Sequence, residues 1–175
     1  LGDRIVIMKD GFIQQIGTPQ QVFDHPVNIF VAGFIGTPQM NFFQAKLVKD
    51  GEGSYHAQVG ETNVPLSEDI QKALGGVDSQ DVTLGIRPEH IRFAPAGTPG
   101  ALTGSVEVSE MMGSEYHLHV TCNGQDVVLR VPTMDLPPEA RSGISYGAQM
   151  SFTFRPDAIH LFDPESEKNL IQTAE

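Results

Sequence analysis

The sequence predicts a mainly β protein, in which residues 41–175 form a β-barrel and residues 1–40 form a short α/β segment. Three observations support this prediction. From Asn41 onward, short runs of alternating apolar and polar residues recur, and clusters of Gly, Asn, Asp and Pro separate them. A single helical pattern interrupts these runs. Several short strands combined with one helix are typical of a small Greek-key barrel of the OB type.

The first segment opens with a predicted β-hairpin. Residues 4–8 have the composition of a short buried strand, residues 12–16 run back as a second strand, and Asp10–Gly11 between them is a frequent hairpin turn. Because the segment up to Met40 offers only two strands and two short helices, it is too small to fold alone. We expect it to be the end of an α/β domain whose main sheet is missing, with Val6 exposing apolar surface.

Two short helices follow this hairpin. Thr18 is placed to cap the first helix, Pro19 suits its first turn, and Gln21 completes a capping box. Pro26 is expected to end this helix and to open the second one, which stops near Gly36. The second helix carries three apolar residues on or near one face, namely Phe30, Val31 and Phe34. Without a covering sheet, Phe30 and Phe34 are expected to be exposed.

The barrel region contains strands with one face predicted to be buried and one predicted to be exposed to solvent. The residues predicted to face the core are Val82, Leu84 and Ile86; Tyr116, Leu118, Val120 and Cys122; Val127, Leu129 and Val131; and Phe152 and Phe154. Asn123–Gly124 joins two of these strands as a hairpin turn. The interrupting helix begins after the cap residue Ser67 and ends at Gly75–Gly76. Glu68 and Asp69 lie in its first turn, where the helix dipole favours negative charge.

A faint internal repeat links two parts of the barrel region. The stretches 86–91 and 154–159 share the order apolar residue, Arg, Pro, acid, any residue, Ile. In each copy a strand ends at the Arg, the Pro breaks the backbone ladder, and the acid is placed to pair with the Arg or to cap the turn. The repeat predicts two similar strand–turn–strand units. Their turn residues are Arg87, Pro88, Glu89 and His90 in the first copy and Arg155, Pro156 and Asp157 in the second.

Charge and cysteine content exclude several classes of function. The chain has 11 Lys and Arg against 22 Asp and Glu, a formal net charge of −11. Because nucleic-acid binding relies on cations that neutralise phosphates, we expect no nucleic-acid partner and interpret the excess acid as a solubility feature. Cys122 is the single cysteine, so an internal disulfide is impossible. The longest apolar stretch, residues 29–35, is far shorter than the roughly 20 residues of a transmembrane helix.

Two groups of side chains have the composition of a reactive site. Glu115, His117 and His119 follow one another along a strand and offer zinc ligands, but no further ligand is evident, so an exposed polar face is favoured. Cys122 lies on a predicted buried face, which favours an inert thiol over a nucleophile. We predict no metal site in this chain.

Two further pairs have competing interpretations. Arg87 with Glu89, and the corresponding pair of the second repeat, would act as acid and base only inside a cleft, and a structural turn is favoured because the pattern occurs twice. Met111 and Met112 lie between two strands, where flexible methionines either contact a partner or fill the core. The sequence leaves both interpretations of the methionines open. We predict no catalytic and no cofactor-binding residue.

The sequence contains four stretches, residues 3–19, 30–42, 84–90 and 154–157, that resemble parts of the ATP-binding subunits of the maltose-type, or multiple-sugar, ABC importers of bacteria. Residues 3–19 resemble the end of an ABC ATPase domain, and residues 30–42, FVAGFIGTPQMNF, are similar to the linker specific to this family. Residues 84–90 and 154–157 resemble the signature of its C-terminal regulatory domain, the TOBE domain. The linker signature comprises Gly33, Phe34, Ile35, Gly36, Pro38, Met40 and Asn41.

The resemblance implies a role in sugar uptake. It implies that this chain is the regulatory and dimerisation part of a subunit that couples ATP hydrolysis to carbohydrate import. It further implies a homodimer, contacts with the other importer subunits through the ATPase domain, and a cytoplasmic position at the inner face of the membrane. A regulatory protein or a small effector is a further candidate partner. The alternative is that the barrel senses a small ligand, such as a sugar or an oxyanion.

The family's ATP-hydrolysing motifs are not found in this sequence. No phosphate-binding loop of the form GxxxxGK[ST] occurs, and none of the six histidines stands in the context of the family's switch histidine. ATP and Mg²⁺ are therefore expected cofactors of the longer parent and not of this fragment. We expect the chain alone to hydrolyse no ATP.

Overall fold

The computed structural model describes residues 3–171. Strands dominate this part of the chain. In chain order they are β1 (Ile5–Lys9), β2 (Phe12–Gly17), β3 (Asn41–Lys49), β4 (Tyr55–Val59), β5 (Thr62–Pro65), β6 (Gln80–Ile86), β7 (Ile91–Ala94), β8 (Leu102–Met112), β9 (Glu115–Cys122), β10 (Gln125–Pro132), β11 (Gln149–Phe154) and β12 (His160–Phe162). The helices are α1 (Pro19–Asp24), α2 (Ile29–Phe34) and α3 (Glu68–Leu74).

The strands from β3 onward form two five-stranded sheets. One sheet has the order β12-β6-β3-β4-β5, and the other has the order β10-β9-β8-β11-β7. All pairings between these strands are antiparallel. Side chains from both sheets and from α3 share one buried cluster, so the sheets enclose a common core. The predicted mainly β, barrel-like fold is confirmed.

The two copies of the repeat lie where the chain crosses between these sheets. After β6 the chain makes a 3₁₀ turn over Pro88–His90 and enters β7 of the other sheet. After β11 it turns through residues 155–158 and returns to the first sheet as β12. β7 pairs with β11, and β12 pairs with β6, so the two units lie side by side. The predicted pair of strand–turn–strand units is therefore confirmed.

The predicted core faces are confirmed as well. Every residue expected to face the core is buried, and the most exposed of them, Phe154, has 4% of its surface accessible. Burying a large apolar side chain contributes roughly 1.5–3 kcal/mol, so these alternating strands supply the main stabilisation of the barrel. The Asn123–Gly124 turn has φ angles of 52° and 76°, as a tight hairpin turn requires.

The local signals for two helix starts also hold. The Thr18 hydroxyl accepts a hydrogen bond from the Gln21 N–H at 3.1 Å, and the Gln21 side chain accepts one from the Thr18 N–H at 2.9 Å. Ser67 caps α3 through the N–H of Ile70, and Gly75 ends it in the left-handed conformation with a φ of 60°. Capping boxes and glycine C-caps depend on neighbours in sequence, which explains their predictability.

The first segment differs from the prediction in two respects. Helix α2 does not open at Pro26 but after the cap residue Asn28, whose side chain accepts a hydrogen bond from the Val31 N–H at 2.9 Å. The first strand is buried only at Ile7, which packs against Val22 and Val31 of the two helices. Val6 is 52% exposed and Phe34 is 63% exposed, as expected, whereas Phe30 is half-buried because it packs against the cluster of Ile7, Val22 and Val31.

Candidate functional site

Arg87 joins the first segment to the barrel. It follows β6, and only 2% of its surface is exposed. Its guanidinium donates one hydrogen bond to the carbonyl oxygen of Ile35 at 2.7 Å and another to that of Phe23 at 2.9 Å. It also lies over the ring of Phe23, 3.8 Å from the ring centre. One side chain of the barrel therefore holds two points of the preceding segment.

Both acceptors belong to helix C-termini. Phe23 is in the last turn of α1, and Ile35 is the C-terminal cap residue of α2. The last carbonyl groups of a helix have no partner within the helix and carry partial negative charge, which a cation stabilises. Burial lowers the pKa of Arg87, and the carboxylates of Glu89 and Asp24 oppose this shift. The guanidinium remains charged at neutral pH because an arginine pKa is far above 7.

Gly36 makes room for this guanidinium. Its φ of +104° lies in the region that side chains rarely adopt. A Cβ atom at this position would lie 2.9 Å from Nη1 of Arg87. The glycine of the linker therefore serves both the backbone turn and the close approach of the arginine.

A second contact between the segments is apolar. Ala32 of α2, Met40 of the linker and Phe162 of β12 form a buried cluster, with Phe42 packed against it. Gly85 lies beneath this cluster, and a Cβ atom there would lie 2.5 Å from the sulfur of Met40. The segment is thus attached to the barrel by packing as well as by the Arg87 hydrogen bonds.

Asn41 connects the two sheets at the start of the barrel. Its side-chain amide donates to the carbonyl oxygen of Val128 at 2.8 Å and accepts from the N–H of the same residue at 2.9 Å. The Gln125 side chain also donates to the carbonyl oxygen of Phe42. Asn41 is 6% exposed, and both of its side-chain polar groups are paired. Its side chain therefore bridges β3 and β10, which belong to different sheets.

The second repeat turn has a different arrangement. Arg155 forms a two-pronged ion pair with Asp157, with N–O distances of 2.6 and 3.1 Å, and both side chains are about half exposed. The Arg155 N–H donates to the carbonyl oxygen of His90 at 2.9 Å, which ties the two turns together. The acid pairs with its arginine in this copy only, because Arg87 is turned toward the helix ends.

The two turns and α1 surround a cavity of about 280 Å³. Its lining includes Asp24, His25, His90, Arg155 and His160. Burial is the main cause that lowers the pKa of His160 to about 4, and it also lowers the pKa of His90. Within the described residues, none of these histidines lies within 4.0 Å of a carboxylate oxygen. The arrangement is therefore suited to holding the junction and lacks the base–acid contact that proton transfer uses.

The remaining candidate residues lie away from this junction. His117 contacts Glu115 at 3.1 Å, whereas His119 contacts Asp126 at 3.2 Å, so the two histidines have separate partners. Within residues 3–171, no three potential ligands come together in a way that could hold a metal ion. Cys122 is 2% exposed, and burial raises the pKa of its thiol.

Sequence reasoning found the turn residues and the linker residues Ile35 and Gly36, but it did not predict that Arg87 contacts them. Arg87, Gly36, Met40 and Asn41 all contribute to the junction, whereas Phe34 and Glu89 are exposed. Gly33 is packed loosely, since a Cβ atom there would meet only Phe42, at 3.6 Å. Pro38 follows a cis peptide bond. The carbonyl oxygens of Phe23 and Ile35 and the backbone of Val128 gave no signal, because any residue type supplies such groups.

Comparisons with known proteins match two domain families to this chain. A family described as "MalK OB fold domain" matches residues 36–91, and a family described as "TOBE domain" matches residues 84–162. The solved structure of the molybdate-binding protein ModG is similar with a TM-score of 0.47 and 17% identity, over 71% of this chain and 96% of that one. This last likeness is too weak to carry an argument.

Curated relatives cover nearly all of this chain. The oligosaccharides import ATP-binding protein MsmX of Bacillus subtilis (strain 168) is 36% identical over 95% of this chain and 44% of its own length. The trehalose/maltose import ATP-binding protein MalK of Thermococcus litoralis is 35% identical over 96% and 44%. The sn-glycerol-3-phosphate import ATP-binding protein UgpC of Ruegeria pomeroyi is 35% identical over 98% and 43%.

These matches define the class of protein. It is the class of ATP-binding subunits of ABC importers that carry OB-type and TOBE domains. The chain belongs to the family of sugar-importer ATP-binding subunits that includes MsmX, UgpC and MalK, and it corresponds to their C-terminal part. It spans about half the length of these relatives. Within residues 3–171, no helix has the length and apolar content needed to cross a bilayer.

Proposed function

We propose that this chain is the regulatory and dimerisation portion of an ABC importer subunit that couples ATP hydrolysis to the uptake of a carbohydrate. The observation that carries this proposal is the Arg87 junction, which fixes the barrel to the segment that resembles the end of an ATPase domain. Movement of the first segment would thereby be transmitted to the barrel. The whole subunit would use ATP and Mg²⁺ and would act at the inner face of the membrane with the other importer subunits.

The proposed dimerisation has a clear physical use. ATPase domains of this kind separate after each turnover, and a second contact between the subunits keeps them at a high effective concentration for the next closure. A regulatory domain outside the nucleotide site also offers a surface through which a regulator shifts the equilibrium without covering the nucleotide. These roles require a rigid attachment, which the buried junction supports.

Exposed apolar side chains of the first segment fit a longer parent protein. Val6 and Met8 of β1, and Phe12, Ile13 and Ile16 of β2, are each between 48% and 73% exposed. In the whole subunit we propose that the preceding ATPase domain covers this surface. Exposed apolar surface of this extent promotes association when it is left uncovered.

The solution mass of the chain tests the dimerisation role. Light scattering over a hundredfold concentration range is expected to give twice the mass of the 19.0 kDa chain. Changing Phe12 to Ser lowers the apolar exposure of β2 and separates specific pairing from association through that hairpin. A chain that stays monomeric throughout contradicts the dimerisation role.

The alternative of small-ligand sensing is not favoured, because the relatives are named as import ATP-binding proteins. A thermal-shift screen against sugars, molybdate and phosphate distinguishes the two. We expect no saturable shift of several degrees for any of them. Such a shift with one compound supports sensing by the barrel.

A further inference from the structure

Strand β8 has an unpaired edge. β11 pairs with its first part, from Leu102 to Ser105, and Gly147 and Ala148 exchange backbone hydrogen bonds with Val106. The opposite edge of β8 pairs with β9 as far as the contact between Met112 and Glu115. Within the described residues, no backbone or side-chain group bonds to the free edge of residues 107–112. A row of backbone donors and acceptors is therefore available to another strand.

The side chains of this edge protect it only in part. Val108 is 44% exposed, Met111 is 57% exposed and Met112 is 51% exposed. The structure thus decides between the two interpretations of the methionines, since neither of them fills the core. Exposed edge strands are commonly protected by Lys or other charged residues, by Pro, by a bulge or by a cover. Residues 107–112 contain no Lys or Pro, but they carry Glu107 and Glu110, and a bulge lies between Val106 and Val108.

We propose that residues 107–111 of β8 pair antiparallel with the same residues of a second copy of this chain. This inference rests on the proposed dimerisation and names its contact. The pairing joins two five-stranded sheets into one continuous sheet across a twofold axis. Both free edges are satisfied at once, as a closed symmetric dimer requires.

The charges of the edge disfavour one register and are compatible with a register centred on Ser109. Val108, Glu110 and Met112 share the outer face, because they lie opposite His119, His117 and Glu115 of β9. A twofold axis perpendicular to the sheet pairs residues of the same face. An axis through Glu110 places two carboxylates directly opposite each other, which is destabilising. An axis through Ser109 places Val108 opposite Glu110 of the second copy and avoids any pair of like charges.

Self-pairing fits the composition of the edge better than pairing with an unrelated strand. The edge reads Glu107, Val108, Ser109, Glu110 and Met111, so one acid and one apolar residue lie on each side of a central serine. In the Ser109-centred register each acid lies opposite an apolar residue of the second copy, so the segment is complementary to itself. The contact is small compared with stable interfaces of about 800 Å² per partner, which suits a second contact that supplements that of the ATPase domains.

A charge substitution tests the register. Val108→Glu places two carboxylates opposite each other at two symmetric positions, and we expect it to weaken self-association by roughly tenfold. Met134→Glu is the matched control, because it introduces the same charge at a residue that is 74% exposed. Met134 follows β10, the strand at the opposite edge of the sheet from β11 and β7. Combining Val108→Glu with Glu110→Lys replaces the repulsion by an attraction and is expected to restore the dimer.

A crosslink gives a positive readout that does not depend on weakening the dimer. Directly opposite Cα atoms in antiparallel strands are about 4.5–5.5 Å apart, within the range that a disulfide spans. We therefore expect Ser109→Cys to form a covalent dimer on mild oxidation, with Ser142→Cys in an exposed loop as the control. The native Cys122 is buried and does not compete.

The mass of each variant in solution is measured by light scattering at protein concentrations up to about 1 mM, which is the effective concentration within a tethered pair. A wild-type dimer that Val108→Glu weakens, that Met134→Glu leaves intact and that the charge swap restores supports the pairing. A wild-type dimer that Val108→Glu does not weaken, together with no Ser109→Cys crosslink, overturns the β8 contact but leaves the proposed dimerisation standing. A wild-type monomer up to the highest concentration overturns both.

Discussion

Replacing Arg87 by alanine should loosen the first segment from the barrel. The change removes two charge-assisted hydrogen bonds of 2.7 and 2.9 Å and the contact with the Phe23 ring. Such bonds contribute about 1.5–3 kcal/mol each, and part of this is offset because the buried charge also disappears. We expect the free energy of unfolding to fall by about 3 kcal/mol. For a domain of this size the melting temperature should fall by about 6–12 °C.

Arg155→Ala is the matched control, because it removes the arginine at the same place of the second repeat. Its ion pair with Asp157 is about half exposed, and exposed pairs contribute about 0–1 kcal/mol. Thermal unfolding gives the overall loss, and amide hydrogen exchange of residues 19–35 shows whether it is located at α1 and α2. Equal effects of the two substitutions, or unchanged exchange in the helices after Arg87→Ala, would refute the role of Arg87 as the junction.

Three further predictions concern the junction and its cavity. Gly85→Ala places a Cβ atom 2.5 Å from the sulfur of Met40 and should lower the free energy of unfolding by about 1–3 kcal/mol in urea titrations. Asn41→Ala leaves the backbone groups of Val128 without partners and should cost about 2–3 kcal/mol by the same measurement. Because the folded-state pKa of His160 is lowered to about 4, protonation favours the unfolded chain, so stability should be lost as pH falls below about 6.5 and level off near pH 4, by up to about 3 kcal/mol. His160→Gln should flatten this part of the stability curve.

Each of these changes has a control on the same chain. Gly51→Ala adds a Cβ atom with nothing within 4 Å and should be neutral. Asn63→Ala removes an exposed amide from β5, and His56→Gln removes a histidine from β4, away from the cavity. If a control substitution lowers the free energy of unfolding as much as the substitution it is compared with, the assay reports general damage and not the contacts of the junction.

Signals that act over a few residues explain what the sequence predicted well. The Thr18 capping box and the Asn123–Gly124 turn depend only on neighbouring residues, and the alternation of Tyr116, Leu118 and Val120 follows from the period of a strand. The repeat at Arg87 and Arg155 correctly indicated two similar units, because each crossing between the sheets begins with the same Arg-Pro-acid sequence.

Contacts between distant parts of the chain were beyond this reasoning. The pattern predicted the same role for Arg87 and Arg155, but the guanidinium of Arg87 finds helix ends 52 and 64 residues away. The exposure of Val6 depends on which surfaces meet, and β1 and β2 pair with no other strand among the described residues. The helix start at Asn28 is a local cap that the prediction missed because it placed the start at Pro26. The free edge of β8 likewise depends on where β11 begins, which no local pattern fixes.

Sugar uptake by a hybrid subunit tests the central claim most directly. In the hybrid this chain replaces the corresponding part of MsmX in Bacillus subtilis cells that lack their own MsmX, and oligosaccharide uptake is measured. If the chain is the regulatory portion of an importer subunit, the hybrid should restore uptake, and the added Arg87→Ala change should lower it while Arg155→Ala does not. A hybrid that assembles with the membrane subunits and hydrolyses ATP but restores no uptake would contradict the claim.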